Sequence, residues 1–239
     1  MKCLDLTFRS PAENLACDEA LLDLCESGAA DQILRFWEAD RYFVVVGYAN
    51  TIAAEVNVSS CDKAGIPILR RCSGGGAVLQ GPGCLNYSLI LRIEEGAPTG
   101  TITETNAFVM QTNRTALQRL VTEPLEIRGH TDLTVGNMKF SGNAQRRRRR
   151  FLLFHGSFLL RLDLTLIGQF LPLPSRQPDY RQGRAHRDFL RHLQLPSQSV
   201  KEALKQAWRA TAPLEQIPHA AISRLAQERY SAPQWNWQR

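Results

Sequence analysis

The residues best suited to chemistry lie together in one stretch, Asp132-Leu-Thr-Val-Gly-Asn-Met-Lys-Phe-Ser-Gly-Asn-Ala-Gln145. A carboxylate at Asp132, an ammonium at Lys139 and a Ser141-Gly142 turn suit the handling of a phosphate ester. The acid can hold a divalent cation while the lysine sits against developing negative charge. About 60 residues earlier runs Arg70-Arg-Cys-Ser-Gly-Gly-Gly-Ala-Val78, a basic glycine-rich loop. Three consecutive glycines, Gly74, Gly75 and Gly76, let backbone N–H groups converge on a carboxylate or phosphate. Taken alone, a glycine triplet is more often a tight turn, and an Asp and a Lys at this spacing are more often surface residues. The neighbouring Arg70–Arg71 pair tilts the reading toward an anion. The loop is neither a Walker A, which needs Gly-Lys-Ser/Thr, nor a GxGxxG fingerprint.

Two further side chains stay open on sequence grounds. His155, in Phe-Leu-Leu-Phe-His-Gly-Ser157, reads equally as structural or catalytic. Cys84, in Gly-Pro-Gly-Cys, reads first as a buried inert thiol and second as a nucleophile. Five consecutive arginines, Arg146, Arg147, Arg148, Arg149 and Arg150, follow the lysine segment and carry much of the net charge of +6. A solvated loop is the ordinary reading of such a run. Its place directly after Lys139 makes a role with phosphates or an acidic partner at least as reasonable.

The elements that must position these residues follow from pattern. Ser10-Pro-Ala-Glu13 reads as a capping box with proline at the first helical position, opening a helix to about Glu26. Residues 33–37 and 42–47 read as strands, and 61–65 as the end of a short helix. Residues 66–71 form a strand with proline near its start. Residues 77–79 and 85–91 are two strands around a Gly-Pro-Gly turn. The spacing predicts a long amphipathic helix over 101–121, then strands at 125–127, 132–135, 138–144 and 152–160. Gly136-Asn137 is a hairpin signal. The expected fold class is α+β, a mixed, largely antiparallel sheet flanked by helices. After about 163 the chain turns to short helices, at 200–210 and 220–230, and proline-rich loops. The expected organisation is one domain over 1–239, with a core at about 1–162 and a C-terminal helical extension at about 163–239, and no internal repeat.

At 239 residues, 44% hydrophobic and 22% charged, the chain is long enough for an ordinary globular core. No run of about 18 apolar residues marks a membrane span, and the N-terminus lacks the apolar stretch of a signal peptide. The six cysteines form no CxxC pair, which disfavours a disulfide scaffold or zinc site and favours the cytoplasm. A nucleic-acid partner is disfavoured, because the basic residues form one block with few interleaved aromatics and no reader motif.

The two motifs in this order, Arg-Arg-x-Ser-Gly-Gly-Gly-Ala-Val and Asp-Leu-x-Val-x-x-x-Lys-x-Ser-Gly-Asn-Ala, closing on His-Gly-Ser, resemble the lipoate–protein ligase A and octanoyltransferase family, whose catalytic-domain fold is shared with biotin protein ligases. The likeness runs from Glu13 to about Leu160. It implies that Lys139 contacts the acyl carbonyl and α-phosphate in a ligase, or the thioester carbonyl in a transferase. Asp132 would lie on the nucleotide side near Mg2+ and phosphate. Arg71 and Ser73 to Gly76 would line the acyl-adenylate tunnel, with Val78 against base or acyl chain. Ser141, Gly142 and Ala144 would form the opposite wall, and His155 and Gly156 would close the acyl end. The implied cofactors and substrates are ATP, Mg2+ and lipoate or octanoate. The implied partners are lipoyl domains of 2-oxoacid dehydrogenases or the glycine-cleavage H protein, which tend to be acidic. The run from Arg146 through Arg149 to Arg150 would steer and bind them.

The resemblance also bears on reaction type. Transferases related to the ligases carry a cysteine just before the Asp-containing strand, and another type carries one near His-Gly. Here Thr122 to Thr131 and Phe151 to Ser157 contain none, which favours the ATP-dependent ligase. The chain departs from the ligases at Gln80-Gly-Pro-Gly-Cys84, where they commonly have His-Asp-x-Gly-Asn. Cys84 stands at the asparagine position, so a thioester role there is the alternative. A bacterial ligase's C-terminal accessory domain finds no room. A separate small subunit would supply it, or Tyr180-Arg-x-Gly-Arg-Ala-His186 and the terminal helices would take over part of it.

Overall fold

A computed structural model describes residues 1–238. The chain folds as β1 (Lys2–Asp5), α1 (Pro11–Ser27), β2 (Ile33–Glu38), β3 (Phe43–Val46), α2 (Ile52–Glu55), α3 (Val58–Ala64), β4 (Ile68–Arg70), β5 (Val78–Gln80), β6 (Cys84–Arg92), α4 (Ile102–Gln118), β7 (Leu125–Arg128), β8 (Asp132–Val135), β9 (Met138–Arg147) and β10 (Phe151–Leu159). It continues through α5 (Leu164–Phe170), α6 (His186–Phe189), α7 (Ser197–Ala207), β11 (Ala212–Pro213), α8 (His219–Leu225) and α9 (Pro233–Asn236).

The strands form an eight-stranded sheet ordered β11-β1-β2-β6-β10-β9-β8-β7 and a three-stranded sheet ordered β4-β3-β5. The large sheet is mixed: β1 runs parallel to β11 and β2, and the pairs from β2 through β7 are antiparallel. This is the α+β architecture expected. Residues of β2, β6 and β10 are buried on both faces, so they read as near-continuous apolar runs rather than alternating ones. One core packs α4 and α7 on one face of the sheet, and another packs α1 and α8 on the other.

Three local expectations change. The box at Ser10 does not form, since the Ser10 side chain makes no cap hydrogen bond. Asn14 acts instead: its Oδ1 accepts from Phe8 N–H and its Nδ2 donates to the Phe8 and Ser10 carbonyls. A capping box forms instead at Thr101–Glu104, where α4 begins. Secondly, the two strands expected around the Gly-Pro-Gly turn are present as β5 and β6 but lie in different sheets, so the turn carries the chain from the small sheet into the large one. Thirdly, the arginine run is not one loop. Arg146 and Arg147 belong to β9, and only Arg148, Arg149 and Arg150 lie in the turn to β10.

The residues after 163 wrap back over the rest. Leu190 and Arg191 pair with the backbone of Lys139, β11 extends the sheet beside β1, and Asn236 binds Arg70 through its side chain and carbonyl.

Candidate active site

Asp132 and Lys139 face each other across the β8–β9 hairpin. Gly136 takes the left-handed φ of +56° that the two-residue turn requires. Val135 pairs with Met138 and Thr134 with Lys139; a bulge then shifts the register, so that Leu133 pairs with Ser141 and Asp132 with Gly142. The extra residue places a glycine, not a side chain, opposite Asp132. Lys139 fills that space: Nζ lies 2.7 Å from Asp132 Oδ1, and a Cβ on Gly142 would stand 2.7 Å from Nζ. The Tyr180 hydroxyl donates to the other oxygen, Oδ2, at 2.7 Å. Burial and the Asp132 charge raise the Tyr180 hydroxyl above its ordinary range, so it stays a donor.

The glycine-rich loop follows β4. Arg71 is buried and braces it from inside, donating to the carbonyls of Gly74, Gly76 and Val45 and to Ser73 Oγ. Burial lowers its pKa to about 10, so it stays charged at neutral pH. With two loop carbonyls turned to this guanidinium, the N–H groups of Gly74, Gly75 and Gly76 have no hydrogen-bond partner among the described residues. The loop also needs Gly47, where a Cβ would stand 1.9 Å from the Gly75 carbonyl oxygen.

From β10, His155 Nε2 lies 2.5 Å from Ser73 Oγ and Nδ1 lies 3.3 Å from Asp18 Oδ2. Asp18 pairs at 2.6 Å with Arg35, whose side chain has no exposure. Burial by itself would raise the Asp18 carboxyl; the Arg35 charge and the hydrogen bond with His155 outweigh it and hold it below the usual carboxylate value. Gly156 leaves room for Asn143, whose Oδ1 would be 1.7 Å from a Cβ there. Asn143 accepts from the Tyr87 hydroxyl and donates to the Thr131 carbonyl, tying three strands to the loop before β8.

These groups surround one cavity of about 990 Å³. Its apolar lining includes Leu15, Trp37, Val45, Val78 and Leu79, and also Ile167, Phe189 and Leu190, with Asp18 and His155 among the polar groups. Lys139, Asp132, Arg128, His130, Arg176 and Tyr180 line it as well. Of the residues expected from sequence, Arg71, Gly75, Gly76, Val78, Asp132, Lys139, Ser141, Gly142, Ala144, His155 and Gly156 line it. Ser73 and Gly74 do not; Ser73 stands behind, against His155. Cys84 does not line it either: the thiol has no exposure and burial raises its pKa to about 12. No cysteine lines it among the described residues.

The arginine run is set apart, which corrects its expected place beside the lysine. None of Arg146, Arg147, Arg148, Arg149 and Arg150 lines the cavity. The run begins roughly 25 Å along β9 from Lys139 at about 3.3 Å per residue. Most of it is held by the fold. Arg146 donates to the Cys72 carbonyl, Arg147 to the carbonyls of Thr99 and Gly100, Arg148 pairs with Glu19 and Asp23, and the Arg150 guanidinium donates to the Glu26 backbone carbonyl while its backbone N–H donates to the Glu26 carboxylate. Arg149 is the exception. It is exposed at the turn, and its guanidinium has no hydrogen-bond or ion-pair partner among the described residues. Of the five, only the Arg148 guanidinium is paired with carboxylates among the described residues, those of Glu19 and Asp23 on α1.

Asp18, Arg35 and Trp37 escape the sequence reading of the site, and Asn143 and Tyr180 stand in quoted segments without a site role of their own. The available signal was polar residues on an otherwise buried helix face, Asn14 and Asp18 four apart.

Residues 10–209 match the lipoyl protein ligase A/B catalytic domain. The chain belongs to this family. It is thus an enzyme of the lipoate ligase and octanoyltransferase group. Octanoyltransferase LipM of Halalkalibacterium halodurans is 24% identical over 99% of this chain and 98% of its own. The fold matches the bi-partite lipoate protein ligase of Thermoplasma acidophilum, described with its E2 lipoyl domain, with a TM-score of 0.83, 22% identity, and coverage of 99% of this chain and 95% of that one. It also matches a lipoate–protein ligase A bound with ATP, with a TM-score of 0.79, 25% identity, and coverage of 99% and 98%. No helix among the described residues is long and apolar enough to cross a membrane.

Proposed function

We propose that this chain is an ATP-dependent lipoate–protein ligase, which activates lipoate or octanoate as the acyl-adenylate and passes it to a lysine of a lipoyl domain or H protein. The observation that carries this reading is a cavity holding an ammonium and unpaired N–H donors but no thiol. Adenylation brings a carboxylate onto the α-phosphate of ATP. Two anions must meet, so fixed cations and aimed donors do the work. Lys139 would bridge the acyl carboxylate and the phosphate, and the Gly75 and Gly76 amides would receive the oxygen charge. The apolar lining suits an eight-carbon chain.

Mg2+ is commonly held by one or two carboxylates together with phosphates, and Asp132 would supply one. When bound, the ion would neutralise phosphate charge. Both Asp132 oxygens are engaged, so Tyr180 or Lys139 has to release one. Transfer requires the acceptor lysine to reach the acyl carbonyl while Lys139 polarises it. The arginine run would act on an acidic acceptor by long-range attraction, with exposed Arg149 the member lacking a guanidinium partner among the described residues.

The LipM relative, matched along its whole length, favours a second reading: transfer from an acyl-carrier thioester. That route needs a cavity nucleophile, which the buried thiols do not offer. Lipoate-dependent exchange of pyrophosphate into ATP tests the choice. Exchange that needs both lipoate and Lys139 supports the ligase; no exchange with an active acyl transfer refutes it.

A further inference from the structure

The large sheet ends at β7, beside the cavity. An exposed edge strand offers a row of unpaired backbone groups, which proteins ordinarily cover. Here one end is covered: Leu125 N–H donates to Gln118 Oε1 at 2.8 Å, and the Leu125 carbonyl accepts from Arg114 at 3.3 Å. Leu125 therefore points its backbone groups away from β8. In an antiparallel pair that direction alternates, so Ile127, two residues on, points its N–H and carbonyl outward too. Neither has a hydrogen-bond partner among the described residues. Along this open stretch runs a groove of about 640 Å³ between β7 and α4, with Ala107, Phe108 and Gln111 on the helix side. Phe108 is an exposed large apolar side chain, as is Ile102 at the start of the same helix. Gly129 and His130 line the groove and the cavity alike.

We infer that β7 receives the acceptor protein: an extended strand of the acceptor adds to the sheet edge at Ile127 and carries its lysine past Gly129 and His130 to Lys139. The inference rests on the acyl-transfer reading above. Main-chain pairing supplies register, and the groove takes an apolar side chain of the added strand. Register matters because Arg128, next to Ile127, pairs directly with Asp132. A strand added to β7 lies two strand spacings, roughly 10 Å, from the Asp132 backbone, a gap that the acceptor lysine and Lys139 close from opposite sides. Glu126 and Arg128 pair with each other and leave the edge clear.

Two substitutions test this without touching the cavity. Ile127→Pro removes the outward N–H and leaves the β7–β8 ladder intact, since proline is tolerated where the N–H faces out from an edge strand. Ala107→Arg, at an exposed helical position, fills the groove. Each should raise KM for the acceptor domain at least tenfold and leave lipoate-dependent ATP–pyrophosphate exchange within twofold of wild type. An unchanged acceptor KM in Ala107→Arg and in folded Ile127→Pro overturns the inference. A wild-type chain without exchange refutes the ligase reading instead. Docking is then read from backbone hydrogen exchange: the Ile127 amide should slow on adding unmodified acceptor, and unchanged exchange overturns it.

Discussion

Gly142→Ala offers a graded probe of the Lys139 geometry. The new Cβ would stand 2.7 Å from Lys139 Nζ and 2.8 Å from Cε, against an ordinary contact of 3.4–4 Å. The side chain must retreat by about 0.7 Å to reach that contact, and its 2.7 Å pairing with Asp132 breaks or swings. The backbone tolerates alanine, since Gly142 is not among the glycines with positive φ. The clash is with the far end of a flexible side chain, so the fold survives. A misplacement near 1 Å costs about 10²-fold in rate, or about 2.7 kcal/mol. Gly142→Ala should therefore lower kcat/KM for acyl transfer to the acceptor roughly 10²-fold, with Tm within about 2 °C of wild type. The double variant Lys139→Ala/Gly142→Ala should be no worse than Lys139→Ala, because the methyl then has nothing to displace. Activity of Gly142→Ala within threefold of wild type, or losses that simply add, would refute the assignment of Lys139.

Asp18→Asn leaves Arg35 buried without its counter-charge and should cost about 3–5 kcal/mol, about 6–20 °C in Tm. The native Asp18 carboxyl titrates below its unfolded value, so its stabilisation is present above about pH 4 and is lost as pH falls through the lower folded pKa. The gap between variant and wild type in urea melts should close in that range; a gap that persists there, or is under 1 kcal/mol at pH 7, contradicts the pairing. Cys84→Ala should acylate the acceptor within twofold of wild type, and loss of more than tenfold in a folded variant would restore a thioester role.

Strands β2 to β10 and the reactive hairpin were legible because their signals are local, apolar and β-branched runs and Gly136-Asn137; the short β1 and β11, which pair in parallel from the two ends of the chain, were not. The bulge between Leu133 and Thr134 was not, since it exists only against β9. The charges that support the site were hidden for the same reason. Asp18 and Arg35 lie on a helix and a strand whose pairing no local pattern shows, and Glu19 meets Arg148 and Arg229 from distant parts of the chain. Tyr180 came from a segment whose prolines marked only irregular backbone, yet it holds Asp132. The arginine run misled as a loop because identity shows charge, not partners. Glu19, Asp23 and Glu26 along α1 engage Arg148 and Arg150 and pass over Arg149 between them.

The most direct test of the account is the intact mass of an apo lipoyl domain after incubation with the protein, lipoate and Mg2+, with and without ATP. The account predicts one lipoyl addition only when ATP is present, and none with Lys139→Ala. Acylation from an octanoyl-carrier protein without ATP, together with no gain from free lipoate and ATP, would contradict it.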